Sequence, residues 1–98
     1  SLALAERAYL ILPEDPFILD IYGWVMLQAG RDTERAEVAI AKASRRAPSE
    51  ALYRYHLGTT YLAQGRRELA LETLQQALKL NPDFEESEEA RRQIDLLQ

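Results

Sequence analysis

The chain has 98 residues, 16 Asp and Glu against 12 Lys and Arg, a net charge of −4 and no cysteine. That length bounds a single compact domain, and the missing cysteine excludes a disulfide framework, a thiolate metal site and a cysteine nucleophile. Residues 83–98 hold six of the acids against two bases. No basic stripe exists to displace counterions from a phosphate backbone, so nucleic acid is excluded as a partner, and no apolar run approaches the ~20 residues of a membrane span.

Residues 1–12 form the first predicted helix. It is rich in Leu and Ala, but Glu6 and Arg7 interrupt it, and it has neither a basic lead nor a small-residue cleavage site, so it does not read as a signal peptide. The chain does not open on Met, and residues 1–13 read as the second helix of a repeat whose first helix is missing. The second helix is predicted over 16–29, with Asp15 capping it and Pro16 suiting its first turn. A third spans 32–46. The fourth, over 49–64, has Ser49 as its expected cap, with Leu52, Tyr55, Leu57, Tyr61 and Leu62 at helical spacing. The fifth spans 67–80. The sixth, over 84–97, has Asp83 as its expected cap and Glu85, Glu86, Glu88 and Glu89 near its positive end. Gly30 and Gly65 follow apolar runs where a left-handed terminal residue is needed. Every connection is short, so neighbouring helices run antiparallel.

The chain repeats itself. Leu57-Gly58-x-x-Tyr61, Gly65, Ala70, Leu74, Ala77 and Pro82 have counterparts in Tyr22-Gly23-x-x-Met26, Gly30, Ala36, Ile40, Ala43 and Pro48. Ala5, Ala8 and Pro13 make a half copy. A period of this length means a stacked helical array that presents a surface. Gly23 and Gly58 lie inside helices, where each costs about 1 kcal/mol against Ala. That cost is accepted where another backbone comes close, so contacts are expected at Gly23/Ala36 and Gly58/Ala70. The first copy has one more residue between its glycine and alanine, so its turn should be longer by one. Residues 83–98 leave the pattern: Phe84, Ala90, Ile94 and Leu97 make one apolar stripe among charges, as a capping helix needs.

These residues resemble the tetratricopeptide repeat family, with the copy over 51–84 the better match. Arg54 departs from it where the family prefers an aromatic; neighbouring Tyr53 can supply the ring. The resemblance implies an all-α, right-handed α-solenoid of antiparallel helix pairs, with repeats over 16–48 and 51–82 and a cap over 83–98. It implies a non-enzymatic scaffold that binds a peptide or helix of a partner protein in its concave groove. The groove residues it points to are Phe17, Asp20, Trp24, Leu27 and Gln28 on one helix, and Leu52, Tyr55, His56, Thr59 and Leu62 on the next. Large aromatic contacts would supply affinity there. The alternative for Trp24 is packing against an adjacent repeat or beneath the terminal helix; for His56 and Asp20, a plain structural or solvated role. Co-chaperone members hold a terminal carboxylate with Lys, Arg and Asn; Asp20, Trp24, Tyr55 and Thr59 stand at the matching places, so that clamp is missing.

No cofactor or metal site is expected. The acidic cluster at 85–89 lacks the glycine turn and alternating donors of a calcium loop. No phosphate loop, dinucleotide fingerprint or nucleophile elbow appears. The basic residues Arg31, Arg35, Lys42, Arg45, Arg46, Arg66 and Arg67 read as solvated outer faces. The second functional reading is a structural segment at the C-terminal end of a longer array, self-associating through its uncapped N-terminal end. Short strings (Leu19-Asp20-x-x-Gly23-Trp24, Arg54-Tyr55-His56-Leu57 and Glu89-Ala90-Arg91) resemble the ends of long bacterial tetratricopeptide proteins of the exosortase- and exopolysaccharide-associated kind. The expected setting is soluble, cytoplasmic or periplasmic; the absence of cysteine fits a reducing compartment.

Overall fold

A computed structural model describes residues 1–98. It contains six helices and no strand: α1 Leu2–Ile11, α2 Pro16–Gln28, α3 Thr33–Arg46, α4 Ala51–Ala63, α5 Arg67–Leu80 and α6 Ser87–Leu97. The helix starts follow their caps. Asp15 accepts from the Ile18 N–H, and Pro16 stands in the first turn of α2. Asp32 accepts from the N–H groups of Glu34 and Arg35 at the start of α3. Each bond satisfies a donor that the first helical turn leaves free.

The helix ends are as regular. Gly30 and Gly65 adopt φ of 68° and 76°. The Gly30 N–H donates to Leu27 O and the Arg31 N–H to Met26 O; Gly65 and Arg66 repeat this with Leu62 O and Tyr61 O. This paired closure satisfies two terminal carbonyls and needs a left-handed residue at its hinge. The α2–α3 turn, 29–32, is one residue longer than the α4–α5 turn, 64–66, as the spacing of the two copies requires.

Two expected starts are corrected. Ser49 does not cap α4: the helix begins at Ala51 after Glu50, with no side-chain cap bond. Asp83 does not cap α6 either. Residues 81–86 turn instead, with Asn81 Oδ1 accepting from the Asp83 N–H and Phe84 O from the Ser87 N–H, so α6 starts three residues later than expected. Once Phe84 is buried among the helices, its backbone follows the turn.

The helices pack as antiparallel pairs, α2 with α3 and α4 with α5; α3 also lies on α4, and α1 covers α2. Two apolar clusters result. The first joins Ala5, Leu19, Tyr22, Met26, Ala36, Ala39, Ala43 and Tyr53; the second joins Ala51, Tyr55, Leu74, Ala77, Phe84, Ala90 and Ile94. Leu52 packs against both and so ties the two pairs. The small residues set the spacing. A Cβ built on Gly23 would meet Ile40 Cγ1 at 2.5 Å and Ala36 O at 2.9 Å. On Gly58 it would meet the Leu74 side chain at 2.8 Å. The first contact falls at Ala36 as expected. At Gly58 the near neighbour is Leu74, one turn beyond Ala70.

Arg54 occupies the position where an aromatic was expected and is held by Ser44 Oγ and Gln76 Oε1 at 2.9 and 2.8 Å, spanning α3 and α5. Tyr53 enters the first cluster instead. The Cα radius of gyration is 12.7 Å, close to the roughly 13 Å of a globular domain this long.

Candidate functional site

The ten residues expected to line a groove lie on α2 and α4, and their spacing puts each set along one helix face. Their environments divide them. Phe17, in the first turn of α2, is 61% exposed. Gln28, at the end of the same helix, is exposed as well. Trp24, Leu27, Leu52, Thr59 and Leu62 are half-buried. Asp20, Tyr55 and His56 are buried, with 3%, 3% and 6% of their surfaces exposed. Those three cannot be direct partner contacts in this packing. They pack into the seams between helices.

The Asp20–His56 pair holds the α2–α4 seam. His56 Nδ1 lies 2.9 and 2.8 Å from the two Asp20 carboxylate oxygens. Burial pushes the Asp20 carboxyl above the usual carboxylate range, and the hydrogen bond from His56 works against that rise. Glu50 adds a smaller upward push. The Trp24 ring stacks on the imidazole at 3.9 Å between centroids, 18° from parallel. Of the two readings for Trp24, its inner face therefore takes the adjacent-repeat packing, while the residue stays half-exposed.

Tyr55 and Thr59 face the other way along the array, toward α6. The Tyr55 ring is 5.8 Å from that of Phe84. Thr59 Oγ1 donates to Gln93 Oε1 at 3.1 Å. Tyr55 thus joins Trp24, at 6.1 Å, to the terminal helix. One aromatic row, Trp24–His56–Tyr55–Phe84, runs from α2 across α4 to the segment before α6.

The α2/α4 face carries Phe17 exposed and Trp24, Leu27, Leu52 and Leu62 half-buried. The recesses open elsewhere. One of about 350 Å³ lies among α1, α2 and α3, lined by Tyr9, Tyr22, Val38 and Lys42. Another, of about 590 Å³, lies beside the α2–α3 turn and is lined mainly by polar groups including Glu37, Gln64 and Arg66. None of the ten residues lines either recess. No three His, Asp or Glu side chains converge to hold a metal ion. Glu89 instead pairs with Arg92 and receives a hydrogen bond from Gln93 within α6. No helix is long and apolar enough to cross a membrane.

Sequence reasoning treated Asp20 and His56 separately. Their spacing of one repeat plus one residue was the signal that they could meet. It also missed the stack of Tyr9 on Tyr22, 4.5 Å apart and 7° from parallel, which seats α1 on α2.

Residues 51–84 match the family model described as Tetratricopeptide repeat. That segment contains α4, α5 and the turn through Phe84, so it is a tetratricopeptide-type repeat, a class of non-catalytic interaction module. No curated protein matches the chain.

Proposed function

We propose that the chain is a scaffold that holds an extended segment or a helix of a partner protein against the surface of α2 and α4. In this reading residues 16–48 and 51–82 are successive repeats of a right-handed array, residues 1–13 are the second helix of a preceding one, and α6 is the cap. The observation that carries it is an apolar face left uncovered on both first helices. Phe17 stands free at one end, with Trp24, Leu27, Leu52 and Leu62 half-buried along it. Half-exposed large side chains on rigid helices give contact area at low entropic cost. Thr59 and Gln28 supply polar contacts at the edge. The match over 51–84 supports a protein-binding role of this general kind.

A random-peptide display selection on the folded chain, followed by titration calorimetry, tests the reading. Selected peptides should lose affinity about tenfold or more on Phe17→Ser or Leu62→Ser, an effect of at least ~1.4 kcal/mol, and little on Val38→Ser, across the molecule. Equal affinity in all three variants would place binding elsewhere.

A second reading, self-assembly, is favoured by a different observation. Helix α1 leaves Leu4, Leu10 and Ile11 exposed at 64%, 77% and 75%. Assembly through that end would make the sedimentation coefficient rise with concentration and revert in a Leu10→Glu/Ile11→Glu variant. A concentration-independent monomer would remove it. The envelope-associated bacterial likeness rests on its short strings alone.

A further inference from the structure

We infer that Arg54, Gln76 and Lys79 form an oxyanion-binding site between α4 and α5, which takes a carboxylate or phosphate group of a partner. A recess of about 440 Å³ opens there, lined by these three residues and Leu80. No acidic side chain lines it, and neither does any of the ten residues expected in the groove. The site is separate from the α2/α4 surface and does not rest on the function proposed for it.

The donors carry the inference. A guanidinium has five N–H donors and no acceptor. Arg54 Nε donates to Ser44 Oγ, and Nη1 donates to Gln76 Oε1. Arg54 Nη2 has no partner in the chain. The Gln76 amide spends its oxygen on the guanidinium, which leaves the Nε2 amino group without a partner. Arg54 and Gln76 are both half-buried, and no fully buried polar atom lacks a partner, so Nη2 and Nε2 are open to solvent. Lys79, exposed on α5 about one turn beyond Gln76, adds its ammonium donors and a second positive charge. The free side-chain groups lining the recess are therefore all donors.

Their charge is unmatched. Five ion pairs form in the chain, and neither Arg54 nor Lys79 enters one. Glu50 and Glu72, about one turn before Arg54 and Gln76, are exposed and do not line the recess. Ser44 and Gln76 fix the guanidinium without cancelling its charge. A half-buried cation held only by neutral groups gains from an anion brought to it. Two existing bonds also hold the fork in place, which lowers the ordering cost of binding.

Titration of inorganic phosphate and of acetate into the isotope-labelled chain, against sodium chloride at equal ionic strength, tests the site. The Arg54 Nε and Gln76 side-chain amide resonances should move along saturating curves that chloride does not reproduce. A lower midpoint for phosphate assigns the site to a phosphorylated partner; a lower midpoint for acetate assigns it to an Asp or Glu side chain. Either result bears the site out. Lys79 is exposed, so its variants keep the fold. Lys79→Ala should raise the midpoint about three- to fivefold. Lys79→Glu, which brings a carboxylate to the recess, should abolish saturation. Shifts that match those in chloride, that never saturate, or that persist unchanged in Lys79→Glu would each overturn the site.

Discussion

A Cβ on Gly23 would sit 2.5 Å from Ile40 Cγ1, closer than two carbon atoms can pack. The Ala36 carbonyl oxygen would lie at 2.9 Å. Ile40 is fully buried and cannot swing away. Gly23→Ala therefore forces α2 and α3 apart. The gain in helix propensity, ~1 kcal/mol, is outweighed by overpacking against backbone, and a net loss of about 1–2 kcal/mol is expected. Gly58→Ala meets only side-chain atoms of Leu74 below 3 Å, so it should lose less. Urea denaturation of the two variants measures the order, and a larger loss at Gly58 would contradict it.

The turn glycines behave differently. Nothing lies within 4 Å of a Cβ at Gly30 or Gly65, yet both hold a left-handed backbone. Alanine there costs conformational energy alone, about 1–2 kcal/mol at each site. Because no contact is involved, the two costs should be nearly equal and additive in the double variant. Thermal denaturation of the single and double variants checks this.

Phe84 closes the second cluster against Tyr55, Leu74 and Ala90. Phe84→Ala should destabilise by about 3–5 kcal/mol and free α6 first. Amide exchange would then speed up in residues 87–97 before it does in α2 and α3. Leu96→Ala, at a side chain pointing into solvent, should stay within about 0.5 kcal/mol of the parent.

Arg54 tests how a departure from the repeat pattern is accommodated. Its guanidinium reaches Ser44 on α3 and Gln76 on α5. Arg54→Lys keeps the charge but cannot donate to both in the same geometry, so the variant should lose roughly 1 kcal/mol. Gln76→Ala should abolish most of that difference in a double-mutant cycle.

Much of the fold was legible because its punctuation is local. Asp15, Pro16, Gly30 and Gly65 declare their roles through backbone chemistry that does not depend on distant partners. Helix-internal Gly23 and Gly58 pointed to close approach for the same reason. The start of α6 was not legible: Asp83 has the chemistry of a cap, but the burial of Phe84 among α4, α5 and α6 decides where the chain may turn. The candidate site was half legible. Spacing put Phe17, Trp24, Leu27, Leu52 and Leu62 on two helix faces. It could not tell which neighbours would be consumed by the seam, because whether Asp20 meets His56 depends on how one hairpin is set against the next, which no single helix encodes.

The close seams are what make hairpins stack, and contacts within the folded chain in solution test them most directly. Nuclear Overhauser spectra should show strong cross-peaks from the Gly23 α-protons to Ile40 side-chain protons and from those of Gly58 to the Leu74 methyls. A folded, helical protein lacking both sets would contradict the stacked-repeat account.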